Sequence, residues 1–291
     1  MRGISLWVIL LSLVGPAAGE SRIECNALSS RTLARLVRYC VLLPPGYDSA
    51  PSRRYPVVYF LHGLGGNERT LLDTGGWNLV EDLRQDGKIG DFLIVTPEAW
   101  ASFYVNAVSG QLRYSDFFLE EFMPLVESRY RVRRERRSRA VTGVSMGGYG
   151  ALRFAFRYPE SFAAVSAQSA ALMTSSPEEL NSAIRSGTPL GRLLGTVFGN
   201  PIDVAHWKDN DPLVLAKRNQ AAIRSVRIYF NCGREDQFEF ASGAEALHRE
   251  LDAEAIQHEY HLYPGDHSAS YFLRHFDEVM EFHWRNFASA K

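Results

Sequence analysis

Gly143-Val144-Ser145-Met146-Gly147 constrains this chain more than any other stretch. Arg139, Ala140, Val141 and Thr142 before it suit a short buried strand, and Gly148-Tyr149-Gly150-Ala151-Leu152-Arg153-Phe154-Ala155 after it suits a helix. A strand-to-helix reversal this sharp leaves no room for side chains beside the central residue, hence the flanking glycines. The pattern predicts Ser145 at the tip of the turn, over the helix N-terminus. There the backbone N–H groups and the helix dipole favour a developing negative charge. A nucleophile so placed needs a base, an acid to orient that base and donors for an oxyanion, and the chain carries matching parts at three other places.

The surrounding pattern is that of a mostly parallel sheet with helices on both faces, an α/β fold. Strands are expected over Arg38–Leu43, Val57–Leu61, Phe92–Thr96, Arg139–Val144, Phe162–Gln168, Val226–Asn231 and Gln257–Tyr263. Helices are expected over Trp77–Gln85, Ser115–Ser128, Gly147–Phe156, Ala241–Asp252 and Ser270–Phe287, the last rich in aromatic residues that read as core. At 291 residues and 46% hydrophobic composition the chain can bury one large core. Residues 177–220, with scattered glycine and proline, read as a helical cap insertion over the strand ends within a single domain spanning 20–291. Residues 1–19 read as a signal peptide: Met1-Arg2-Gly3, an apolar run from Ile4 to Val14, then small residues to Gly19. The run is too short to span a bilayer comfortably, so a secreted or periplasmic protein without a membrane segment after cleavage is expected. In such an oxidising compartment Cys25 and Cys40 could join the first two strands by a disulfide, a pairing the sequence leaves open because it does not give the register, while Cys232 reads as a buried thiol. A net charge of −1 argues against nucleic acid as a partner, and the basic run from Arg131 to Arg137 reads as a solvated loop.

His62-Gly63-Leu64-Gly65-Gly66 follows the strand Val57–Leu61 and is a glycine-rich turn suited to supplying an oxyanion donor. The backbone N–H of Leu64 is assigned this role, with that of Met146 as the second donor, and His62 is read as a structural loop histidine. Asn231-Cys232-Gly233-Arg234-Glu235-Asp236 ends a strand in a carboxylate pair. An acid that orients a catalytic histidine belongs there, with Asp236 the first choice and Glu235 the second. Of eight histidines, only His267, in Tyr263-Pro264-Gly265-Asp266-His267, lies in a loop after the last strand. It alone completes the order Ser…Asp…His.

With these parts the chain resembles the Putative esterase family (esterase D, feruloyl esterase-like) of α/β-hydrolases from about Leu42 to the C-terminus. The resemblance rests on Leu42-Leu43-Pro44-Pro45-Gly46-Tyr47, Leu61-His62-Gly63, the segment from Gly143 to Leu152, Phe198-Gly199-Asn200-Pro201, Cys232 to Asp236 and Tyr263 to His267. It implies an α/β-hydrolase fold and maps Ser145, Asp236 and His267 onto nucleophile, acid and base. It also implies substrate contacts from Tyr104 and Asn106, although Glu98-Ala99-Trp100-Ala101 departs from the family's glycine and polar residues.

The expected chemistry is acyl transfer through an acyl-enzyme, without metal or cofactor, on short-chain or carbohydrate-linked esters. A transferase of the mycolyltransferase type, passing the acyl group to a sugar or alcohol, is the alternative. A peptidase is disfavoured by the lack of a specificity domain, and a non-catalytic binding module by the filled triad positions. S-formylglutathione hydrolysis is disfavoured because that thioester is cytosolic. Oligomeric state is left open.

Overall fold

A computed structural model describes residues 21–289, so the expected signal peptide lies outside the described residues. Eight strands form one sheet: β1 (Arg22–Ser30), β2 (Arg35–Leu43), β3 (Val57–Leu61), β4 (Leu93–Pro97), β5 (Arg139–Val144), β6 (Ala164–Gln168), β7 (Arg227–Gly233) and β8 (Glu259–Tyr263). Their order is β1-β2-β4-β3-β5-β6-β7-β8. β1 and β2 are antiparallel to their neighbours, and every pairing from β4 to β8 is parallel. Cys25 stands opposite Cys40 in the β1–β2 register and is bonded to it, with Cα atoms 4.1 Å apart.

The central strands read as continuous apolar runs because both faces are covered. Val57, Tyr59 and Leu61 of β3 point into one core, and Val58 and Phe60 into the other. The larger core is closed by the helices Met146–Arg157 and Phe240–Ala253 and by Tyr114–Arg129, which has a π-helical middle, Phe117–Phe122. Gly76–Gln85 and Phe276–Ser289 cover the smaller one. The aromatic C-terminal helix is broken at His275, giving Ala269–Arg274 and Phe276–Ser289 where one helix was expected.

Between β6 and β7 the chain forms five short helices: Pro177–Arg185, Pro189–Phe198, Val204–Asn210, Pro212–Arg218 and Gln220–Ile223. Side-chain caps from Ser176, Thr188, Asp203 and Asp211, mostly ahead of a proline, start the first four. Leu194, Val197, Phe198 and Trp207 are buried in the larger core. The basic run is less free than a solvated loop: Arg131, Arg133, Arg134 and Arg136 all donate to backbone carbonyls of other segments. Among the described residues no helix is long and apolar enough to cross a membrane.

Candidate active site

Ser145 sits between β5 and the helix Met146–Arg157 with φ 55° and ψ −120°, a conformation few residues with a side chain adopt. The surroundings hold it there. Its N–H donates to the Gln168 carbonyl (2.9 Å), and its carbonyl accepts from the N–H groups of Tyr149 (3.0 Å) and Ala171 (3.1 Å). The flanking glycines answer to space. A Cβ at Gly147 would stand 2.7 Å from the His62 carbonyl oxygen and closer still to that of Leu61, and one at Gly143 would run into the Gly147 carbonyl.

His267 and Asp236 come together across 31 residues of chain, with Nδ1 of the imidazole 2.7 Å from Oδ2 of the carboxylate. The other carboxylate oxygen accepts from the Phe238 N–H at 2.9 Å, and the Asp236 side chain is wholly shielded from solvent. Burial pushes this carboxyl up. The hydrogen bond and charge of His267, with the Phe238 N–H, outweigh that and hold it below its ordinary range. Glu235, the second choice, turns away and accepts from the Gly265 N–H, securing the loop that carries His267. Three rings meet the imidazole nearly edge-on: Phe238 at 4.9 Å, Phe272 at 5.2 Å and Phe240 at 5.4 Å.

Ser145, His267, Leu64 and Met146 line one cavity of about 480 Å³. Its remaining walls are Phe103, Ala171, Thr188, Pro189, Leu190, Phe238 and Phe240, almost entirely apolar. Among the described residues Leu64, Leu190 and Phe238 are three of six exposed large apolar side chains, and all three stand at this site. Met146 is the first residue of its helix, so its N–H has no partner within the helix. Among the described residues the Ser145 hydroxyl makes no hydrogen bond to protein.

His62 is buried, with both ring nitrogens in use. Nδ1 donates to the Gly63 carbonyl (2.8 Å), and Nε2 accepts from the Ala99 N–H (3.0 Å). Burial lowers its pKa, which keeps the ring neutral and able to accept. It thus pins the loop bearing Leu64.

Tyr104 and Asn106, expected as substrate contacts, do not line this cavity. Trp100, Phe103 and Tyr104 all have positive φ, and this tight loop turns Tyr104 inward until it is fully buried. Its hydroxyl donates to the His62 carbonyl (2.8 Å), and its ring lies on Gly150, where a Cβ would stand 2.6 Å from it. Asn106 exchanges hydrogen bonds with Asp116 (2.7 and 3.2 Å). Tyr104 thus braces the His62 loop from behind, and Asn106 ties its own loop to the helical segment that begins at Tyr114. The cavity is lined instead by Phe103, Thr188-Pro189-Leu190 and Phe238, among others. The sequence signal for the last was Phe238-Glu239-Phe240, two aromatic residues shortly after Asp236, of which Phe238 is exposed and Phe240 buried.

Comparison with known proteins agrees with this architecture. An esterase of Mycobacterium tuberculosis is 31% identical over 246 residues, covering 78% of this chain and 51% of the relative, so the chain spans about half the length of that protein. A ferulic acid esterase of known structure superposes with a TM-score of 0.79 at 26% identity, covering 92% of this chain and 99% of that one. A fluorophosphonate-binding serine hydrolase of Staphylococcus aureus shares the fold with a TM-score of 0.76 at 20% identity, over 91% of this chain and 99% of its own. The model of the family described as "Putative esterase" matches residues 30–283, and with most of its length so matched the chain belongs to that esterase family of α/β-hydrolases.

Proposed function

We infer that the protein is a carboxylic ester hydrolase working through Ser145, His267 and Asp236 and an acyl-enzyme intermediate. One observation carries this reading: the His267–Asp236 hydrogen bond of 2.7 Å opens onto the same apolar cavity as a serine held at a strained elbow. With Nδ1–H donated to Asp236, Nε2 is the free lone pair of His267 and takes the Ser145 proton as the hydroxyl attacks the ester carbonyl. The N–H groups of Leu64 and Met146 receive the oxyanion, each such donor being worth about 10²–10³ in rate. The imidazolium returns its proton to the leaving alcohol, and water repeats the sequence on the acyl-enzyme.

The cavity lining favours an apolar acyl group, and the exposed Leu64, Leu190 and Phe238 leave room at the mouth for a bulky alcohol such as a sugar. The Cys25–Cys40 disulfide supports export to an oxidising compartment. Replacing Ser145 with alanine tests the mechanism. Hydrolysis of p-nitrophenyl acetate by the folded variant is expected to fall about 10⁴–10⁶-fold, and covalent labelling by a fluorophosphonate to vanish. Retention of wild-type rates would exclude the triad. Product partition with added alcohols separates hydrolysis from transfer to an acceptor.

A further inference from the structure

Far along the chain from Ser145, His248 and Asp252 lie one turn apart near the end of the helix Phe240–Ala253, and His258 directly precedes the edge strand β8. The spacing of four places the first two on one helix face. One ligating atom from each of the three residues falls within 4.8 Å of the other two. His258 is only 4% exposed at its side chain, and its Nδ1 donates to the Ile256 carbonyl at 2.7 Å. That bond fixes the tautomer, so Nε2 of His258 carries a lone pair aimed at Nδ1 of His248, 2.8 Å away.

With Nδ1 of His258 donating to a carbonyl, its Nε2 accepts and Nδ1 of His248 donates to it. Nε2 of His248 lies 3.5 Å from Oδ2 of Asp252, while Oδ1 of the same carboxylate faces His258 Nε2 at 3.8 Å. Two imidazoles and a carboxylate, three donor groups of the kind that hold a transition metal, thus converge on one point.

We propose that His248, Asp252 and His258 bind a divalent transition metal of the zinc type, tying the end of the helix to the edge of the sheet. In the bound form His248 Nδ1, His258 Nε2 and an Asp252 oxygen ligate the ion. The proton of His248 moves from Nδ1 to Nε2, where it faces the second Asp252 oxygen, so the ring stays neutral. Zinc–nitrogen distances of about 2.1 Å in tetrahedral geometry set two nitrogens roughly 3.4 Å apart. From their present 2.8 Å the two nitrogens therefore need to part by roughly 0.6 Å, which the half-exposed His248 can supply. Imidazole and carboxylate donors suit zinc, and a fourth position is open to water. The site is separate from the ester-cleaving cavity, which none of the three residues lines.

Titration of the metal-stripped full chain with Zn²⁺ by calorimetry, alongside melting curves with and without Zn²⁺, tests the proposal. One ion per chain is expected, with a rise in Tm. In His258→Gln, and separately in the more exposed double variant His248→Gln/Asp252→Asn, affinity is expected to fall at least tenfold and the Tm rise to disappear. Ester hydrolysis is expected to stay at the wild-type level in the double variant. No saturable binding by the wild-type chain at micromolar Zn²⁺, or equal binding by the double variant, overturns the proposal.

Discussion

Replacing Asp236 with asparagine isolates the link between acid and base. The substitution keeps shape and volume in a site with no solvent exposure at the Asp236 side chain. The Phe238 N–H, 2.9 Å from Oδ1, demands an acceptor there, so the amide oxygen of the variant takes that place and the amide NH₂ takes the place of Oδ2. A donor then faces Nδ1 of His267 across the 2.7 Å now spanned by Nδ1–H and carboxylate. The ring answers by moving its proton to Nε2, the atom that must accept from Ser145. The base is lost through its tautomer while the Phe238 N–H keeps its acceptor, and only the long 3.7 Å contact from the Cys232 thiol is given up. A loss of about 10⁴ in kcat is expected, equivalent to ~5.5 kcal/mol of barrier, with KM near its wild-type value because Asp236 touches no substrate. The assay is steady-state hydrolysis of p-nitrophenyl acetate by variant shown to be folded by circular dichroism. Glu235→Gln is the control: Glu235 only secures the Gly265 N–H, so a change of a few-fold is expected. If the Asp236→Asn variant works within tenfold of wild type, His267 is not a base oriented by Asp236.

Gly147→Ala places a methyl group against the carbonyl oxygens of Leu61 and His62, neither of which can yield without moving β3. A shift of about 1 Å at the elbow costs on the order of 10²-fold in kcat, and the overpacking about 1–3 kcal/mol in urea unfolding; unchanged kinetics would refute the packing account. His283, wholly buried beside Ser166, is held at about 3 by burial and by Arg285, so the folded state refuses a proton that the unfolded chain takes near pH 6.5. Stability from this group is therefore complete above pH 6.5 and falls as pH drops below it, by roughly 2–3 kcal/mol at pH 4.5. His283→Asn is expected to lack one proton's worth of that slope, and an identical slope in urea titrations would count against it. The Cys25–Cys40 bond closes a loop with a sequence separation of 15, worth about 3 kcal/mol in the unfolded chain. The Cys25→Ala/Cys40→Ala variant is expected to melt about 5–10 °C lower, and an equal Tm would show that the sheet edge needs no such bond.

Periodicity located the interior strands closely, since a run such as Val57–Leu61 is apolar without interruption only when both faces are covered. It located the helix Phe240–Ala253 within a residue at each end. It did not reveal the π-helical stretch Phe117–Phe122 or the break at His275, because both depend on what neighbouring elements leave room for. The five helices between β6 and β7 were legible only as a helical segment. Leu190 and Leu194 look alike in the sequence, yet one borders the cavity and the other is fully buried.

The amino-acid sequence alone located the elbow, because a tight turn between strand and helix restricts which residues can stand beside a serine, and it supplied the expected acid and base. Of the three histidines that follow the last strand, only His267 was expected in the loop and not in the helical pattern after it. Tertiary structure decided everything that depends on which way a side chain turns. Three positive φ values direct Tyr104 inward, away from the substrate side and onto Gly150, while the free mouth of the cavity falls to Leu64, Leu190 and Phe238. Spacing along a chain encodes the local path of the backbone, but whether a ring meets a ligand or another helix is set by contacts between segments that no local pattern records.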